Sequence, residues 1–387
     1  MGSDRPKCYV RELWKGDSRC MWRLNRYRAP ADTAPVRWSS SYVRTGTGSQ
    51  AVSGGHTRDE CGGDSAIRTA SVRRFPAVRP IAPVALAAAF ACQAEVPGAG
   101  MSGPAFLPTD SAVLVAPGVV STPAAESAAA FTPDGLELYF NRASSDRQQI
   151  VLLESRFEAG SWSQPVPASF AGSHRDLDPF VTPDGSRLYF SSTRPRSAGE
   201  EPGDFNTWYV ERTPDGWSEP IALEPPLNTE SQEVFVSLDA GYNLYFASDR
   251  DGVQRVYRSQ WLEGGHQPPE LVPFDVNLQE GAGNPLVVRD GRMLIFVSDR
   301  EGGYGGADLY ATCRLAVGWS AAVNLGPRVN SAQADFAPAL AAGGEYLVFT
   351  SERPGVVPAV AADARPPGDI YYMRLANADV ACRESTE

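Results

Sequence analysis

Lysine is nearly missing from this chain, with Lys7 and Lys15 the only two. Histidine is almost as scarce, at His56, His174 and His266, so neither a His-based metal site nor a Ser-His-Asp triad can be assembled. No G-x-S-x-G, P-loop or H-E-x-x-H stretch occurs. The cysteines Cys8, Cys20, Cys61, Cys92, Cys313 and Cys382 include no C-x-x-C pair, which excludes a zinc ribbon or thioredoxin-type motif and argues against a disulfide scaffold. Cys313 and Cys382 read as a strand thiol and a tail thiol, and a bridge between them is the alternative in an oxidising compartment. No cofactor or metal is expected.

Charge is unevenly spread. Residues 1–92 hold 15 Lys+Arg against 7 Asp+Glu, a net of +8, whereas residues 93–387 hold 20 against 39, a net of −19. So acidic a surface repels phosphate backbones, and nucleic acid is excluded as a partner of the larger part.

Residues 1–71 lack sustained hydrophobic periodicity and read as unstructured. Residues 72–92 follow the layout of a secretory leader, with Arg73, Arg74 and Arg79 before the apolar stretch Ile81–Ala91 and a small-x-small cleavage site at Ala89-Phe90-Ala91. The apolar stretch is too short to span a bilayer. Cys92 directly after it resembles the lipid-modified cysteine of a bacterial lipoprotein, although Ala89 and Phe90 depart from the usual lipobox. The expected location is periplasmic or cell-surface, with membrane attachment only through an anchor at Cys92. Because export reads true N-termini, translation is expected to start near Val72. Residues 93–106 read as a Gly/Pro/Ala-rich tether.

What the chain has in abundance is repetition. Thr182-Pro183-Asp184-Gly185 followed by Leu188-Tyr189-Phe190 is echoed by Thr132-Pro133-Asp134-Gly135 with Leu138-Tyr139-Phe140, and by strands ending in Phe246, Phe296 and Phe349. The anchoring phenylalanines at 140, 190, 246, 296 and 349 are 50, 56, 50 and 53 residues apart, a period that means a repeat architecture. In the clearest copy Asp178–Thr182 is a short inner strand, Pro183-Asp184-Gly185 a tight turn, Leu188–Ser192 the return, Asn206–Arg212 a third strand and Trp217–Leu223 a fourth. Four antiparallel strands repeated about every fifty residues make a β-propeller blade, so the fold class is all-β.

The fifth copy stops after its third strand, Asp369–Arg374. Ser111–Ser121 aligns with the fourth strand and exit loop of the fourth copy, and is therefore predicted to close the ring. This gives five four-stranded blades over residues 107–376, with 377–387 as a tail; six would follow if residues 93–125 held further strands.

Pro183-Asp184-Gly185 before Leu188-Tyr189-Phe190, Ser298-Asp299-Arg300, Gly302–Tyr310, Gly318-Trp319-Ser320 and Asn324-Leu325-Gly326 together resemble the WD40-like PD40 repeat. That family includes the TolB propeller and the propellers of OmpA-like proteins. The resemblance spans about residues 110–375 and departs in blade five, where Ala341–Gly344 replaces the Pro-Asp-Gly turn and Gly355–Pro367 is inserted. It implies an exported propeller that binds something and implies no chemistry; regular repeats without an asymmetric catalytic set lead to the expectation of a non-catalytic, TolB-like module, monomeric, that binds a protein or an envelope polymer or glycan.

Aligning the copies places Glu126, Asp176, Asp178, Glu233, Asn284 and Asp335 at or just before the innermost strands, ringing one mouth of the channel. Such residues can bind a ligand there, or supply the paired carboxyl groups of a glycoside hydrolase, the alternative function. They can equally accept backbone hydrogen bonds that fix each blade entrance, and their recurrence favours that reading. Trp162, Trp217 and Trp319, at matching outer positions, are expected to pack between blades.

Overall fold

The computed structural model describes residue 106, residues 109–378 and Cys382, apart from positions 145, 198, 200, 289 and 358–365. Residues 1–71, the leader 72–92 with Cys92, and the tether up to 105 lie outside the described residues.

Five antiparallel sheets, each built on four strands, form the blades. Their innermost strands are Ala125–Phe131, Asp176–Val181, Glu233–Leu238, Gly283–Val288 and Asp335–Ala341. The second strands are Glu137–Ala143, Arg187–Ser192, Leu244–Ser248, Met293–Ser298 and Tyr346–Ser351, and the third are Ile150–Glu158, Asn206–Thr213, Arg255–Ser259, Asp308–Cys313 and Asp369–Arg374. Each innermost strand packs beside that of the next blade, and that of blade five beside that of blade one. Blade five takes its fourth strand, Val113–Leu114, from the start of the described chain, with Val113 opposite Tyr372 and Leu114 opposite Tyr371. The ends of the ring are thus joined by backbone hydrogen bonds, which leaves no open sheet edge at the seam.

The local chemistry explains the turns. In Thr182-Pro183-Asp184-Gly185 the Thr182 hydroxyl and the Ser186 N–H both donate to Asp184 Oδ1, at 2.6 and 3.1 Å. Gly185 takes φ +71°, a left-handed conformation that costs glycine little. Thr132, Asp134 and Gly135 repeat the arrangement in blade one. Beyond the turn, Tyr and Phe of the second strand point to opposite faces of the sheet. Tyr139, Tyr189 and Tyr245, with Phe140, Phe190, Phe246, Phe296 and Phe349, are the largest fully buried side chains. The core therefore lies between blades, where each sheet covers its neighbour.

Polar groups also cross between blades. Arg212 of blade two makes a bidentate pair with Glu137 of blade one at 2.8 and 2.9 Å, and Trp217 Nε1 donates to Tyr139 Oη at 2.8 Å. Trp162 packs edge-on to Phe131, and Trp319 to Phe274. All three tryptophans thus join the packing beneath the outer strands.

The reading of Cys313 and Cys382 as separate thiols is corrected: they form a disulfide, 69 residues apart. Cys313 ends the third strand of blade four and Cys382 lies after blade five. Spacing alone hid the bridge, because the packing of blade five on blade four is what brings the tail beside Cys313.

Candidate functional site

The six candidate residues fall into two sets. Glu126, Asp176, Glu233 and Asp335 are buried at the starts of their strands, each facing an arginine at the end of the following strand or just beyond it. Glu126 pairs with Arg142 at 2.7 Å, Asp176 with Arg194 at 2.8 Å, Glu233 with Arg250 at 3.1 Å and Asp335 with Arg353 at 2.7 Å. The same carboxylates accept backbone N–H groups from the incoming loop, of Thr122, Gly172, Thr229 and Ser331. In blades two, three and five the arginine is itself held: its Nε donates to Ser192, Ser248 or Ser351 and its guanidinium lies over Phe190, Phe246 or Phe349. Burial raises the carboxyls of Glu126 and Glu233 above the usual range, against the lowering effect of Thr122 and Arg142 on the first and of Thr229, Ser248 and Arg250 on the second.

Asp178 and Asn284 are different. They sit two residues after the position of the paired acids, which in blade four is Ala282. Each innermost strand bulges here, with the register shifting between Leu177 and Phe180 in blade two and between Gly283 and Leu286 in blade four. The residue at the bulge has positive φ in every blade: Ala128 at +51°, Asp178 at +57°, Phe235 at +55°, Asn284 at +45° and Ala337 at +49°. A left-handed conformation costs a non-glycine residue about 1–2 kcal/mol, so the bulges persist because neighbouring groups hold them. Asn141 Oδ1 accepts the Asp178 N–H at 3.2 Å, Thr350 Oγ1 that of Ala128 at 3.0 Å, and Asn284 Oδ1 that of Ala337 at 3.0 Å. Pro179, Pro285 and Pro338 follow immediately, where no ladder hydrogen bond is required of them.

The bulges divide the channel. A cavity of about 380 Å³ extends from them to the Pro-Asp-Gly end, where Pro133, Pro183, Ala240 and Asp290 line it. A smaller one, about 70 Å³, lies toward the strand starts and is lined by Glu126, Arg175 and Glu352 among others. Asp178 and Phe235 line both and so form the partition. Asn284 lines the larger, while Asp176, Glu233 and Asp335 line neither. The structure therefore brings Asp178 and Asn284 into one cavity and holds the other four in blade entrances.

Asp178 is 6% exposed and Asn284 1%. Burial pushes the Asp178 carboxyl well above the usual aspartate range, with a hydrogen bond from Asn141 working the other way. Asp178 Oδ2 and Asn284 Nδ2 have no hydrogen-bond partner among the described residues. The remaining wall of the larger cavity is mainly apolar, with Phe180, Phe235 and the three prolines prominent. Phe235 and the prolines were missed as site residues; the recurring Asp-Pro, Asn-Pro and Ala-Pro pairs were the available signal.

Neither described histidine joins this cavity. His174 lies in the loop entering blade two, beside Gly172. His266 packs edge-on to Trp261 at 4.7 Å and is pushed down to about 4 by burial, assisted by Arg187. Among the described residues no cluster of three or more His, Cys, Asp or Glu side chains is arranged to hold a metal ion.

No family model matches the chain, and no curated protein does. Solved structures do. A structure assigned to TolB from Agrobacterium tumefaciens is 19% identical, with 67% of this chain and 80% of that one covered and a TM-score of 0.43. The catalytic domain of the GH62 α-L-arabinofuranosidase of Coprinopsis cinerea is 15% identical over 71% and 100%, with a TM-score of 0.46. An α-L-arabinofuranosidase from Lactobacillus brevis is 14% identical over 64% and 90%, with a TM-score of 0.42.

Proposed function

We propose that this chain is an exported, non-catalytic binding propeller of the PD40 type, and that it takes a segment of a protein partner into the wide end of its central channel. The observation that carries this reading is the division of the acidic residues. Four of the six are neutralised by arginines inside the blades, which leaves a channel wall that is mainly apolar. Apolar pockets with a few placed polar groups are the usual form of a binding site, and about 380 Å³ is at the small end of their range. The pairing of Cys313 with Cys382 supports export, since such bridges persist in oxidising compartments. The reading keeps Cys92 as the point of attachment to a membrane.

A carbohydrate-active enzyme is the second reading, favoured by one observation: Asp178, Asp239 and Asp290 all line the larger cavity, and burial raises the Asp178 carboxyl, the direction a general acid needs. Against it, Asp239 Oδ1 and Oδ2 are engaged by Gly241 and Asn243 of its own turn.

Ala240 is exposed at the wide mouth, so Ala240→Trp obstructs the channel without entering the core. The purified propeller, immobilised, is challenged with a cell-envelope protein fraction, and the same preparation is assayed on a glycan panel. Capture of a defined protein that Ala240→Trp loses, with no glycan turnover, is expected. Turnover that Asp178→Ala abolishes would move the assignment to the enzyme; capture indifferent to Ala240→Trp would remove the channel from the binding function.

A further inference from the structure

The fivefold pattern of the channel is broken at the bulges. Three bulge positions carry Ala128, Phe235 and Ala337, and two carry Asp178 and Asn284. Alanine satisfies the backbone geometry in two blades, so the fold does not demand a polar side chain there. Asn284 earns half of its place structurally, since its Oδ1 accepts the Ala337 N–H at 3.0 Å. That bond orients the amide and leaves Nδ2 as an unused donor. Asp178 Oδ2 is likewise unused, and among the described residues the Asp178 carboxyl has no arginine beside it as the paired acids do. Two such buried groups without partners are unfavourable, and both belong to residues that line the larger cavity.

We propose that Asp178 and Asn284 form a recognition pair for an uncharged carboxamide at the floor of the larger cavity. The inference rests on the channel being the binding site and names the group that reaches its end. The chemistry follows from what each atom offers. Asn284 Nδ2 donates, which calls for a carbonyl oxygen, and the carboxyl of Asp178 takes the amide N–H. A carboxylate ligand would offer no N–H for Asp178 to accept. An ammonium ligand would lack an acceptor for Asn284, and either ion would be desolvated against Phe180, Phe235 and the prolines. A neutral amide on an apolar body meets both the pair and the wall. Both side-chain atoms are buried, so a small rotation of each side chain is required to meet the amide.

Benzamide is the probe, with benzoate and benzylamine as charged counterparts of the same size, titrated into the full chain and followed by ligand-detected NMR and calorimetry. Benzamide is expected to bind at least about tenfold more tightly than either ion, a hydrogen-bond difference of ordinary size. Asp178→Ala introduces the residue that blades one and five already carry, and is expected to weaken benzamide binding about tenfold. Asn284→Asp keeps the acceptor for Ala337 but removes the donor, and should do the same. Asp178→Asn, a neutral group of the same shape, should retain binding. Thermal unfolding of each variant separates a lost site from a lost fold. Equal binding of all three probes, no benzamide binding to the unaltered chain, or full benzamide affinity in folded Asp178→Ala would overturn the pair. Benzamide binding that depends on the pair, together with protein capture indifferent to Ala240→Trp, would uphold this inference while removing the protein-binding function.

Discussion

At the scale of single residues, identical side-chain types have opposite consequences according to whether a partner is built in. Asp176 and Arg194 are 2% and 11% exposed, and removing one member leaves the other charged and buried. Arg194→Met is therefore expected to destabilise the chain by about 3–5 kcal/mol. Blade four supplies the control: Ala282 replaces the acid, and Arg300, which lies over Tyr310, has only a loose and partly exposed pairing with Glu280 at 3.7 Å. Arg300→Met should cost less than about 1 kcal/mol, and urea midpoints of the two variants measure the contrast. Asp178 gives the pH counterpart. Its folded carboxyl is raised by burial, while the unfolded one ionises near the ordinary aspartate value of about 3.9. Above that pH the unfolded chain gains by ionising, so the contribution of Asp178 to stability is full in acid and falls as pH rises. Asp178→Asn should thus stabilise the propeller by about 1–2 kcal/mol at pH 7 and make no difference near pH 3. A variant no more stable at pH 7 than at pH 3, relative to the parent, would contradict a neutral buried acid.

At the scale of strands, the blades were legible because their signals are local. Pro183-Asp184-Gly185 specifies a turn by its own side chains, and Leu188-Tyr189-Phe190 carries the in-and-out alternation of the strand that follows. The closing strand was legible too, since Val113–Leu114 continues the same repeat at the other end of the chain. Its removal is a direct test: starting the chain at residue 117 should expose the edge of Asp369–Arg374 and yield larger species on size-exclusion chromatography than the intact chain does. The bulges were not legible. Glycine normally marks a left-handed position, and here the five residues are Ala, Asp, Phe, Asn and Ala, held by Asn141, Thr350 and Asn284 from neighbouring positions in the ring. The acids were located correctly in the repeat, but their pairing depends on arginines 16 to 18 residues further on. The Ser-x-Arg endings contained that information once the second strand was known to lie beside the first.

At the scale of the whole molecule, closure has two independent parts. The first is the hydrogen-bonded strand that the beginning of the described chain lends to blade five. The second is covalent: Cys382, beyond blade five, is fixed to Cys313 at the end of a third strand in blade four. The bridge spans 69 residues, which include the whole of blade five apart from its borrowed strand. A cross-link enclosing that much chain restricts the unfolded state, and such bridges typically contribute about 2–4 kcal/mol. Because blade five forms part of the channel wall through Ala337 and Pro338, weakening it could in principle disturb binding. The bridge itself, however, joins third-strand and tail positions, away from the bulges. Cys382→Ser is accordingly expected to lower the melting temperature by about 4–12 °C while leaving benzamide affinity within about twofold. Dithiothreitol should lower the melting temperature of the parent chain to the variant's value and leave the variant unchanged. A parent chain insensitive to reduction would remove the bridge from the stability of the ring, and a variant that loses benzamide would tie the channel to the tail.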